Sequence, residues 1–188
     1  MWILATLTDV EALEFLTQLL PLKVRLDDDP GTERFFVLEA PTEVELVEGR
    51  GLRVACPGQV RWSLPVGALD MTITTARALL VPSIAMREGQ AVLRVVIEVD
   101  ALEIEWVPAL VDQKVAELIT RKLCAVPIEW NFTKTLTHRF GLPEAVDPPR
   151  DLATSVREPT CTVTSTAMTL GLYVAVAPSA PVVPVGEG

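Results

Sequence analysis

Apolar and polar residues change rhythm several times along this chain, and each change marks a new element. Val10, Leu13, Leu16 and Leu20 recur at helical spacing, with Phe15 and Leu19 widening the stripe. Thr8 stands just before them and Glu11 three residues after it, the pairing of a capping box. Pro21 ends the run. The pattern predicts an amphipathic helix of about three turns that needs a surface to pack on.

From Leu22 to about Ala101 the period becomes two. Lys23-Val24-Arg25-Leu26 alternates, and Asp27-Asp28-Asp29-Pro30-Gly31 predicts a turn. Phe35 to Ala40 and Val44 to Val47 read as strands. Glu48-Gly49-Arg50-Gly51 predicts a hairpin turn into Leu52 to Cys56, and Pro57-Gly58 a further turn. Val60, Trp62 and Leu64 alternate with polar partners, as do Leu69, Met71, Ile73 and Thr75. Glu88-Gly89 turns the chain into its most regular strand, Ala91 to Val99. There Leu93, Val95, Ile97 and Val99 share one face, opposite Arg94, Glu98 and Asp100. Leu102, Ile104 and Trp106 continue on the other parity, which predicts a β-bulge near Asp100-Ala101.

A second helix follows. Pro108 suits its first turn, and Val111, Val115, Leu118, Ile119 and Leu123 form its stripe. Asp112 near its start and Arg121 and Lys122 near its end complement the helix dipole. Pro127 closes it. Ile128, Trp130 and Phe132 then alternate, which predicts a strand reaching Leu136. Leu142 to Pro159, with four prolines, reads as a long loop. Thr160 to Ala177 returns to strand, either as a hairpin turning near Gly171 or as one long bent strand.

Hairpin-type turns between neighbouring strands argue for an antiparallel sheet and against βαβ units. The expected fold is α+β: a curved antiparallel β-sheet wrapped around an amphipathic helix, with a second, N-terminal helix. Residues 1–177 are expected to form one domain, and 178–188 a Pro-rich flexible tail.

The segment Val92 to Leu123 carries a resemblance. Its strand Val-Leu-Arg-Val-Val-Ile-Glu-Val-Asp leads through Pro108-Ala109-Leu110-Val111-Asp112 into the amphipathic helix. This resembles the strand-then-helix unit of the tubular lipid-binding (TULIP) superfamily, which includes the BPI-like and SMP-like domains. The resemblance implies an elongated fold with an apolar groove for acyl chains between the helix and the inner sheet face. It also implies pairing of such domains.

Charge narrows the partners. The formal net charge is −9, and no Lys/Arg cluster interrupts it, so no nucleic-acid partner is expected. No apolar run reaches the roughly 18 residues that span a bilayer, so no transmembrane segment is expected. The first residues lack the basic segment and long apolar run of a signal peptide, which points to a cytoplasmic protein. Cys56, Cys124 and Cys161 are too widely spaced for a zinc pattern and odd in number, so they read as reduced thiols.

Candidate chemistry is sparse. His138 is the one histidine, and no Gly-x-Ser-x-Gly accompanies it, so it reads as structural and not as a catalytic base. One histidine makes no multi-histidine metal site. Asp27, Asp28 and Asp29 lack the spacing of a calcium loop, since Gly31 and Glu33 do not complete it. Glu98 with Asp100, and Glu103 with Glu105, oppose apolar faces and read as a solvent side. Gly49-x-Gly51 is too short to cradle phosphate. Trp62, Trp106 and Trp130 lie on apolar strand faces, either as core or as the wall of a cavity.

The expected function is therefore non-catalytic binding of a lipid or other apolar small molecule, with no cofactor and no metal. Leu93, Val95, Ile97, Trp106, Val111, Val115, Leu118 and Trp130 are the expected lining. The alternative is a structural or adaptor protein acting by self-association, as a homo-oligomer, or by docking a protein partner.

Overall fold

A computed structural model describes residues 1–26, 34–64, 67–105, 109–125, 127–141 and 151–179. In chain order the elements are β1 (Trp2–Leu7), α1 (Asp9–Leu19), β2 (Leu22–Arg25), β3 (Phe35–Leu38), β4 (Glu43–Val47), β5 (Gly51–Leu64), β6 (Gly67–Arg87), β7 (Gln90–Ile104), α2 (Ala109–Cys124), β8 (Ile128–Trp130), α3 (Phe132–Leu136), β9 (Arg139–Gly141), β10 (Asp151–Val163) and β11 (Met168–Ser179). The architecture is α+β, with a strongly curled antiparallel sheet.

The described strands form two sheets. The larger runs β2-β3-β5-β6-β7-β8, with β4 also on β5, and the smaller runs β1-β11-β10-β9. Register carries one apolar face across the large sheet. Val24 lies opposite Phe36, Phe36 opposite Val60, and Val60 opposite Met71. Further along the same face Leu46 lies opposite Leu52, Leu52 opposite Leu80, and Leu80 opposite Ile97.

The three described helices cover successive lengths of this face. α2 places buried Val115 and Ile119 on Leu26, Phe36, Val60, Met71 and Ile73, with Leu102 and Ile104 beside them. α1 places buried Ala12, with Leu16 and Leu20, on Leu46, Leu52, Val54 and Cys56. α3 places buried Phe132 on Ala91, Ile84 and Leu93 of the large sheet and on Leu172 and Leu170 of the small one. A curved sheet with an amphipathic helix against its inner face is thus present, together with the N-terminal helix.

The opposite face is polar at its surface. Arg50 bridges Glu98 at 2.9 Å, and Arg53 bridges Glu45 at 2.9 Å. Leu79 lies between Arg53 and Glu98 in register and is fully buried. The apolar stems of long charged side chains are suited to shielding such a residue.

α1 forms as its signals require. The Glu11 N–H donates to the Thr8 hydroxyl at 3.3 Å, and the Thr8 N–H donates to the Glu11 carboxylate at 2.9 Å. The hairpin turn at Glu48–Arg50 and the turn at Glu88-Gly89 are both present. So is the bulge: Arg77 pairs with Ala101 and Ala78 with Val99, leaving Asp100 unpaired in the ladder.

Four expectations need correction. Pro57-Gly58 is not a turn. β5 runs straight through it, with a register shift between Cys56 and Gly58. A bulge absorbs the proline, and a Cβ at Gly58 would strike the carbonyl oxygen of Val37. The strand beginning at Ile128 ends at Trp130, and Phe132 opens α3 instead. The Asn131 side chain caps that helix by accepting the Lys134 N–H at 2.8 Å. The expected loop up to Pro159 gives way to strand from Asp151, where β10 begins. β10 tolerates Pro159 because its register shifts between Arg157 and Thr160. Finally, Gly171 sits inside β11, and the chain turns at Thr164–Ala167. A glycine serves there because a Cβ would press on the Thr160 hydroxyl at 2.5 Å.

Pro178 and Ser179, the first residues of the expected tail, pair in β11. The remaining tail, the Asp27–Gly31 turn, Trp106 and Pro108 lie outside the described residues.

Candidate apolar binding site

The side chains that meet where the two sheets face each other come from strands far apart in sequence. In the small sheet Ala5 lies opposite Leu170, Leu170 opposite Cys161, and Leu7 opposite Met168. In the large sheet Leu93 stands opposite Ile84 on one side and Trp130 on the other. Between them lies a cavity of about 230 Å³ lined by Ala5, Thr6, Leu7, Leu93, Cys161, Met168 and Leu170.

Its chemistry is plain. None of the lining side chains is charged, and only Thr6 and Cys161 carry a polar hydrogen. Burial pushes the Cys161 thiol up from its usual range, so the sulfur is neutral at pH 7. Ala5 and Thr6 are exposed, and the other lining residues are half-buried. The cavity therefore opens at β1, which among the described residues is an edge strand of the small sheet.

Filled clusters bound it on two sides. Leu93 and Leu170 also pack against the buried cluster of Ala91, Phe132 and Leu172. Leu7 and Met168 also pack in the cluster of Ala12 and Leu52.

The lining expected from sequence is divided. Leu93 is in the cavity wall. Val95 and Ile97 are half-buried farther along the same face of β7. Val115 is fully buried, and Leu118 is packed beside its cluster near Leu102 and Ile104. From Leu93 to Ile104 β7 spans roughly 35 Å at the usual strand rise. Trp130 is 46% exposed, with its ring edge-on to Phe132 at 6.0 Å. Trp62 packs against the cluster of Phe36 and Val60, with the Arg34 guanidinium over its ring at 4.7 Å. Trp106 and the side chain of Val111 lie outside the described residues.

The small-sheet half of the wall lies outside the lining expected from sequence. Trp2-Ile3-Leu4-Ala5-Thr6-Leu7 is an uncharged apolar run of strand length, and that was the available signal. Cys161 and Met168 gave no comparable hint, because only the pairing of β10 with β11 brings them to one face.

Other chemistry is scattered. His138 is exposed, and its backbone N–H donates to the Thr154 hydroxyl at 2.9 Å. Among the described residues, no group of three or more His, Cys, Asp or Glu could hold a metal ion. Among them, too, no helix is long and apolar enough to cross a membrane. The chain matches no protein-family model, and none of the curated proteins matches it in sequence.

Proposed function

We propose that this protein holds an apolar ligand between its two sheets and catalyses no reaction on it. The carrying observation is the uncharged cavity of about 230 Å³ that opens beside β1. A concave, mostly apolar space with few polar groups is the ordinary form of a small-molecule site. The curled sheet and its amphipathic helix suit a TULIP-like lipid-binding fold, with the ligand displaced from the α2 end, where Val115 and Ile119 are fully buried. The reading of a holder draws on His138 standing at an exposed position and on the uncharged cavity wall.

Native mass spectrometry of the purified protein, with organic extraction of the same sample, tests the reading. A bound apolar species is expected, and it should be lost from an Ala5→Phe variant that fills the mouth. A bare protein that also takes up no added apolar compound would end it. Turnover in a broad hydrolase or transferase screen, abolished by His138→Ala, would replace the holder with an enzyme.

A second reading rests on β1 itself. Trp2, Ile3 and Leu4 are 52%, 38% and 68% exposed on an edge strand without Lys, Pro or Gly. Such an edge is a template for another strand. The occupant proposed is a second copy of this chain, paired antiparallel through β1. Sedimentation should then show a dimer that Leu4→Lys converts to a monomer, and a monomer at all concentrations would end this reading.

A further inference from the structure

We infer that the cavity between the two sheets selects a neutral ligand whose buried part is short, about six to nine carbons or a single ring, and not a long acyl chain. This rests on the holding function proposed above and specifies its ligand.

Volume sets the first limit. A cavity of about 150 Å³ lined by apolar aliphatic and aromatic side chains accommodates benzene. The present cavity, at about 230 Å³, is larger by roughly half. That admits a substituted ring or a short chain.

The filled ends set the second limit. A long chain would have to continue along the apolar face of the large sheet. One way is taken by the buried cluster of Ala91, Phe132 and Leu172, against which Leu93 and Leu170 pack. The other is taken by Ala12, packed with Leu7 and Met168. Beyond Ala12 the face is occupied again, by Val115 and Ile119 on Phe36. A long acyl chain would need one of these clusters to open.

Lining chemistry sets the third. An ionised carboxylate or phosphate drawn inside would find no cation among the lining residues. Burying an unpaired charge is strongly unfavourable. A hydroxyl, ester or carbonyl at the open side would lie beside the exposed Thr6.

Calorimetric titration with primary straight-chain alcohols, from butanol to dodecanol, tests this directly. Affinity should rise about fourfold per methylene while the chain is being buried. It should level off near octanol or nonanol. At pH 7 octanoate should bind at least tenfold more weakly than octanol, because its carboxylate has to stay hydrated at the mouth and holds about two of its methylenes out of the cavity. Met168→Ala should move the cut-off to longer chains, and Ala5→Leu to shorter ones. Affinity that keeps rising through dodecanol would overturn the inference and leave the holding function standing. So would octanoate that equals octanol, or a cut-off that neither variant moves. Failure of every alcohol to bind would remove both.

Discussion

Arg53 reaches Asp100 with its Nε 3.5 Å from the carboxylate, and Asp100 is the residue that β7 inserts into its ladder with β6. The insertion keeps the apolar face continuous. Without it Val99 and Leu102 would point to opposite sides, because strand side chains alternate. With it, Leu102 and Ile104 pack beside α2.

Deleting Asp100 should therefore be far worse than changing it. Deletion would turn Leu102 and Ile104 away from α2, or force β7 to slip against β6. The loss should be several kcal/mol, on the scale of a large core truncation. Asp100→Ala removes only a half-exposed ion pair, worth about 1 kcal/mol or less. Urea unfolding of the two variants checks this, and equal midpoints would show that the bulge does not set the register.

The capping box gives a pH dependence. The Thr8 backbone N–H, followed by the Thr8 hydroxyl, holds the Glu11 carboxyl below its ordinary value of 4.5. The folded state thus binds that proton less readily than the unfolded chain. Its contribution is present above pH 4.5 and fades as pH falls through the lower folded value. Wild type should melt higher than Glu11→Gln at pH 7, and the gap should narrow below pH 4.5. A gap that stays constant down to pH 3 would rule out the carboxylate as its source.

How much could be read from sequence follows from whether the signal was local. The α1 cap was legible because Thr8 and Glu11 are three residues apart. The Asp100 bulge was legible because it breaks the parity of one strand. Pro57, Pro159 and Gly171 misled for a common reason: each looks like punctuation, yet the fold uses it inside a strand. Two sit at bulges, and the third gives room to the Thr160 side chain from the neighbouring strand. These are cross-strand facts, absent from any short window. The site behaved likewise. Leu93 was found because its own strand alternates, whereas Cys161 and Met168 reach the cavity only through the β10–β11 pairing.

The three thiols should separate by rate. Cys124 is exposed at the end of α2. Burial pushes both Cys56 and Cys161 up from their usual range, and Cys56 is the more buried. Only the thiolate attacks an alkylating reagent. At pH 8 Cys124 should label first, Cys161 roughly tenfold or more slowly, and Cys56 last. Peptide mapping after timed alkylation reads the order, and urea should abolish it. Rapid labelling of Cys56 in the native protein would contradict the packing of α1 over β5.

Phe132 is the side chain that ties the two sheets together at the α3 end. It is fully buried in a cluster with Ala91 of the large sheet and Leu172 of the small one, and Ile84, Leu93, Val156 and Leu170 pack around that cluster. Its position is fixed by polar contacts made on both sides of it in sequence. The Asn131 amide donates to Gln90 at 2.7 Å, and the Thr133 hydroxyl donates to the Ala91 carbonyl at 2.8 Å. Phe132→Ala should cost about 3–5 kcal/mol, because the ring leaves a void that rigid strands on two sides cannot close. The loss should also be uneven. Amide exchange should quicken most in β10 and β11, while amides of β5 and β6 beneath α2 keep most of their protection. Phe132→Leu, which refills most of the volume, should recover more than half of the lost stability. Uniform quickening in both sheets would mean that they unfold as one unit and that Phe132 is ordinary core. Quickening confined to the small sheet would identify α3 as its anchor, and with it the wall that limits the cavity at Leu93 and Leu170.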